Sequence, residues 1–147
     1  MHIVRDLLQT KDGRVWTINP QASVYTALEL MATKNIGAVV VTDHDQVVGI
    51  FSERDYARKV ILLGRASKTT LVSELMTRDV LYVSRDDTID SCMALMTTKR
   101  LRHLPVLDNG KLVGLVSIGD IVKAIIDGHE ITIRELERYI TGGHTTG

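Results

Sequence analysis

Apolar and polar positions along this chain change rhythm in a set order, and the order occurs twice. VWTI at 15–18 predicts a short strand, and Ser23 then caps a stretch in which Val24, Leu28 and Met31 recur three and four apart, as on one face of a helix. AVVVT at 38–42 and VVGIF at 47–51 read as a strand and its return around the turn DHDQ, and a second helix is expected to begin at Ser52. The series restarts with a strand at 80–83, a cap at Asp87 or Thr88, and a helix carrying Ile89, Cys92, Met93 and Met96 on its apolar face. LPVL, the turn DNGK at 108–111 and LVGLV follow, and again a helix from Ser117. DNGK is the stronger turn signal, because Asn–Gly tolerates the positive φ angles of a type I′ hairpin.

The two series superimpose without a gap at an offset of 65 residues over about 45 positions. Leu30–Met31 falls on Leu95–Met96, Thr33–Lys34 on Thr98–Lys99, Val48–Gly49 on Val113–Gly114, Ser52 on Ser117 and Asp55 on Asp120. The pattern is a duplicated β-α-β-β-α unit, hence an α+β fold. A single copy of about 50 residues buries too little surface to stand alone, so two copies packed sheet to sheet around one core are expected. The boundaries read from the sequence are 5–64 for the first repeat, 72–127 for the second and 130–141 for a C-terminal amphipathic helix. That helix would gather Ile131, Ile133, Leu136 and Ile140 on one face, to cover its own core or to meet another subunit.

Composition narrows the function more than the fold. Eighteen basic residues balance eighteen acidic ones, which leaves no broad cationic footprint for nucleic acid. One cysteine permits neither an intramolecular disulfide nor a zinc cluster, and Cys92 aligns with Ala27 on an apolar helical face, as a buried structural residue would. No apolar run approaches the roughly 20 residues needed to cross a bilayer, and MHIVRDLLQTKDG does not read as a signal peptide, so a cytoplasmic location is expected. No base–nucleophile pair, metal-ligand spacing or Walker-type loop is present in the sequence, which argues against an enzyme.

The chemistry is concentrated in GIFSERD at 49–55 and GLVSIGD at 114–120. Read plainly, Ser–x–x–Asp is a helix capping box. A sharper reading adds the glycine, which admits a close approach to the strand, and free N–H groups at the helix start, which suit a phosphate. A first-turn carboxylate repels phosphate but accepts bonds from vicinal ribose hydroxyls, so Ser52/Asp55 and Ser117/Asp120 together suggest a nucleotide. Arg54 is a candidate phosphate contact, with a surface cation as its ordinary alternative. Gly37 and Ala38 leave room for a flat base where the second copy carries Arg102 and His103.

Tandem β-α-β-β-α units, the RHLPVLD strand and the repeated Gly–x–x–Ser–x–x–Asp junction resemble paired cystathionine-β-synthase (CBS) domains, the Bateman module, over residues 5–126. The resemblance implies a pseudo-twofold pair, usually a homodimer, binding adenosine ligands in clefts between the copies: AMP, ADP, ATP, NAD(H) or S-adenosylmethionine. It implies main-chain reading of adenine by Thr17, Ile18, Ala38 and Val39 and by Tyr82, Val83, His103 and Leu104. It places Arg102 and His103, ahead of Leu104–Pro105–Val106, near ligand phosphates, and Lys68 close by. The aliphatics among these have plain core as their alternative. The function implied is a regulatory sensor that signals through ligand-dependent conformational change, acting in trans on an enzyme or transporter. The competing reading is a protein–protein interaction scaffold whose clefts hold no physiological nucleotide.

Overall fold

The structure, a computed structural model, describes residues 2–11, 14–62, 64 and 66–145. Of the side chains at 61, 129–133 and 139–145 nothing is described, so the apolar face expected from Ile131, Ile133 and Ile140 lies outside the described residues, as do the side chains of His129 and His144.

The order of elements is α1 (Val4–Gln9), β1 (Thr17–Ile18), α2 (Val24–Lys34), β2 (Ala38–Asp43), β3 (Gln46–Ser52), α3 (Glu53–Asp55), a π-helical turn (Tyr56–Ile61), α4 (Val72–Leu75), α5 (Ile89–Lys99), β4 (His103–Asp108), β5 (Lys111–Ser117) and α6 (Ile118–Thr145). This is the expected α+β alternation. Ser23 and Thr88 cap α2 and α5 through their side-chain oxygens, which accept from the N–H groups of Thr26 and Ser91. Asp87, the other candidate cap, instead accepts from the Ser84 N–H at 2.7 Å. Both helices end in a left-handed residue at the same repeat position, Asn35 and Arg100. Both hairpins turn on two residues of positive φ, His44–Asp45 and Asn109–Gly110, as type I′ geometry requires.

Three expectations change. The strand predicted at 80–83 is absent. In the first copy β1 runs parallel to β2, and the Val40 N–H donates to the Trp16 carbonyl at 3.4 Å. The residue 65 places after Val40 is Pro105, which has no N–H to give, so the second copy's leading strand shrinks to a bridge at Val83. The helix after Ser52 is α-helical for three residues and then widens into the π-turn, whereas its counterpart after Ser117 is α-helical throughout. Finally, the C-terminal helix is not separate: α6 runs unbroken from Ile118 to Thr145, with no proline to stop it.

Two compact units form. The first comprises Gly13–Tyr82 with Pro105–Leu115, the second Met1–Asp12, Val83–Leu104 and Val116–Gly147. They cut across the sequence repeats, because the helical turn leading each repeat docks on the other repeat. In the first unit α4 donates from Val72 and Ser73 to the carbonyls of Ala22 and Pro20, and the Val24 N–H bonds Thr70 O. In the second, α1 donates from Val4 and Arg5 to Asp87 and Arg85, and the Ile89 N–H bonds His2 O. The core of the first unit is built around Val24, Ala27, Met31, Val39, Val41 and Phe51 and is closed by Val72, Leu75 and Met76. In the second, Val4, Leu7, Ile89, Cys92, Met96, Leu104, Val116 and Ile121 are buried.

Candidate ligand sites

Each strand-to-helix junction is a complete capping box. In the first unit Asp55 Oδ2 accepts the Ser52 N–H at 2.9 Å and the Ser52 hydroxyl at 3.0 Å, and Ser52 Oγ accepts the Asp55 N–H at 3.2 Å. In the second, Asp120 Oδ2 accepts the Ser117 N–H at 2.9 Å, and Ser117 Oγ accepts the Asp120 N–H at 3.1 Å. The plain reading of Ser–x–x–Asp therefore describes what the residues do here.

Both carboxylates also meet partners that repeat matching alone does not reveal. Asp55 Oδ1 accepts from Thr77 Oγ1 at 3.2 Å and lies 3.2 Å from Lys59 Nζ, which in turn donates to the Leu75 carbonyl at 2.9 Å. Asp120 Oδ2 is paired with Lys11 Nζ at 2.8 Å, from a residue 109 positions away. Burial pushes the Asp120 pKa up, but the Lys11 ammonium and the Ser117 amide outweigh it and hold the carboxyl below its ordinary value.

The helix-start N–H groups expected to await a phosphate are partly spoken for. Glu53 N–H donates to the Gly37 carbonyl at 3.1 Å and, at the equivalent place, Ile118 N–H donates to the Arg102 carbonyl at 2.8 Å. With the third N–H held by the serine in each case, two of the first three N–H groups at each helix start are already bonded within the chain. Gly49 does receive a close approach, from the chain itself. A Cβ there would stand 2.9 Å from the Thr77 carbonyl oxygen, in a segment bridged to Ile50.

The first unit brings together Gly37, Ala38, Ser52 and Asp55, since Ala38 is registered opposite Ser52. Thr17 and Ile18 lie alongside on β1, opposite Val40 and Val41. Ile18, Ala38 and Val39 are buried, and Arg54 is half-buried. Lys68 holds its ammonium 5.1 Å over the Tyr25 ring. The second unit holds Val83, Arg102, His103, Leu104, Ser117 and Asp120, whereas Tyr82 and Pro105 group with the first. Tyr82 and Arg102 are exposed, His103 is half-buried, and Leu104 is fully buried.

A cavity of about 270 Å³ opens in the second unit. Leu7, Thr10 and Lys11 line one part of it, and Asp120, Lys123, Ala124 and Asp127 of α6 line the rest. Cys92 is buried, and desolvation, with Asp87 adding to it, pushes its thiol up to about 11, so it is inert. Among the described residues no group of His, Cys, Asp and Glu is arranged to hold a metal ion, and no helix is long and apolar enough to cross a membrane.

The CBS-domain family profile matches residues 4–61 and again 72–127. The chain belongs to the CBS-domain family. A solved CBS-domain protein, NE2398, is 51% identical and superimposes with a TM-score of 0.81 over 86% of this chain and 99% of its own. The mitochondrial CBS domain-containing protein CBSX3 of Arabidopsis thaliana is 36% identical over 96% of this chain and 73% of its own length. More distantly, the CBS domain pair of MJ0100, solved with 5′-methylthioadenosine and S-adenosyl-L-methionine, is 26% identical with a TM-score of 0.77, covering 86% of this chain and 97% of that one. Like the CBS domain pair of MJ0100, this chain is built from two repeats in a mixed α+β fold.

Proposed function

We propose that this CBS pair is a non-enzymatic regulatory module that binds an adenine nucleotide and signals by a ligand-dependent change to a partner protein. The observation that carries the reading is the part-buried carboxylate placed at each Gly–x–x–Ser–x–x–Asp junction, Asp55 and Asp120. The adenosine compounds bound to the MJ0100 pair support it. The ligand is AMP or a relative: ADP, ATP, NAD(H) or S-adenosylmethionine. Asp55 and Asp120 are the two candidate partners for the sugar hydroxyls, Ser52 and Ser117 hold the helix starts, and Arg54, Arg102, His103 and Lys68 are the candidate cations toward phosphate. Thr17, Ile18, Gly37, Ala38 and Val39 in the first unit, and Val83 and Leu104 in the second, contact the base, with Tyr82 and Pro105 as further candidates. Signalling requires that the ligand bind two conformations unequally. The module works as a cytoplasmic homodimer on an enzyme or transporter in trans.

Isothermal titration with AMP, ATP, NADH and S-adenosylmethionine tests this. Saturable heat that disappears in the double variant Asp55→Ala/Asp120→Ala is expected. Silence from every compound overturns the sensor and leaves the interaction scaffold, a reading favoured by Val122, Ile126 and Leu136, which stand 39%, 50% and 58% exposed along α6.

A further inference from the structure

Asp55 and Asp120 are equivalent in sequence but not in surroundings. Both oxygens of Asp55 are engaged, Oδ2 by Ser52 and Oδ1 by Thr77 and Lys59, and its side chain is 13% exposed. The residue 65 places after Lys59 is Ala124, whose methyl group cannot reach a carboxylate one turn away. Where the first unit sets the Lys59 ammonium against Asp55, the second has Ala124 and the 270 Å³ cavity, with Ala124 and Asp120 both in its lining. Asp120 is 28% exposed, and its bonds from the Ser117 N–H and from Lys11 both fall on Oδ2.

We propose, resting on the adenine-nucleotide reading above, that the chain carries one open and one self-filled version of the same site. Ligand enters the second unit at Asp120, while Lys59 and Thr77 close the first. Asp120 accepts the sugar hydroxyls, and Lys11 and Lys123 flank the anionic end. Two lysines against two aspartates, Asp120 and Asp127, give this cavity no net charge. At 270 Å³ it also falls just under the roughly 300–1,000 Å³ of common ligand pockets. Size and charge together select a compact adenosine ligand of low charge, a nucleoside thioether or monophosphate, over a triphosphate.

The test is calorimetric stoichiometry with AMP, 5′-methylthioadenosine and ATP on the full chain. One site per chain is expected in the unmodified protein, with ATP at least tenfold the weakest. Ala124→Lys, which installs the first unit's lysine, should weaken binding at least tenfold; Ala124→Met fills the cavity without charge and serves if the lysine variant misfolds. Lys59→Met, or Thr77→Val in its place, should raise the count to two. Two sites in the unmodified chain, full affinity in both Ala124 variants, an unchanged count in both first-unit variants, or ATP binding as tightly as AMP each overturn this assignment and leave nucleotide binding itself standing. Silence from all three compounds in every variant overturns both.

Discussion

Replacing Gly49 with alanine isolates the packing that builds the first unit's junction. The new Cβ would meet Met76 Sδ at 2.7 Å, the Thr77 carbonyl oxygen at 2.9 Å and Met76 Cγ at 3.0 Å. Met76 is 6% exposed, so its thioether has little room to swing away. The Thr77 oxygen is backbone and is itself bonded, accepting the Ile50 N–H at 3.0 Å while the Thr77 N–H donates to Ile50 O at 2.8 Å. Relief requires the 76–77 segment to withdraw by about half an ångström, and overpacking of this kind costs about 1–3 kcal/mol. Weakening the reciprocal bridge adds about 1 kcal/mol. Alanine returns about 0.4–1 kcal/mol by restricting the unfolded chain. The net expectation is about 2 kcal/mol of destabilisation, or about 4–8 °C in Tm for a chain of this size. Calorimetric melting measures it, with Gly128→Ala as the control, where the added methyl meets nothing within 4 Å inside a helix. Hydrogen exchange at the Ile50 and Thr77 amides should quicken in the Gly49 variant alone. A Gly49→Ala protein that melts at or above the parent temperature refutes the reasoning.

Other expectations follow from single residues. Arg100 ends α5 at φ 56°, where a side chain is strained, so Arg100→Gly should raise stability by about 0.5–1 kcal/mol in urea unfolding, and a loss would contradict the strain. Because the Asp120 carboxyl is held below its ordinary value, its contribution is present at neutral pH and lost as pH falls below about 4. The Lys11 pair is over a third exposed on the lysine side, so Asp120→Asn should cost only about 0.5–1 kcal/mol at pH 7, with the two urea midpoints converging near pH 3; a gap that persists there rules out the linkage. Cys92 should resist thiol reagents at pH 8 in the folded protein and react at once in denaturant; rapid native labelling would contradict its burial.

What the sequence disclosed was local. Asn109–Gly110 announced its turn because few other pairs accept two positive φ angles, and Ser23, Ser52 and Ser117 announced their caps through the acceptor each helix start needs. The missing strand at 80–83 was legible too, had Pro105 been set against Val40 and its absent N–H weighed. The non-local features left no such trace. Nothing in a 65-residue offset says that the segment before each repeat docks on the other, because the α1 and α4 bonds join residues more than 45 positions apart. Lys11 and Thr77 escaped notice for the same reason, lying 109 and 22 positions from the carboxylates they bind. Lys59 sat in plain view, four residues beyond Asp55, and the change to Ala124 at its counterpart was the available signal. The repeat reveals what the two halves share, whereas the surroundings of Asp55 and Asp120 differ through Thr77 and Lys11, far off in sequence, and through the aligned change from Lys59 to Ala124.

The most direct measurement is a two-dimensional amide NMR titration of the assigned protein with AMP. Saturable shifts clustered on Lys11, Ser117, Asp120 and Lys123, with Gly37, Ser52 and Asp55 unmoved, are predicted. Shifts centred on Ser52 and Asp55, or a spectrum that AMP leaves unchanged, would contradict the account.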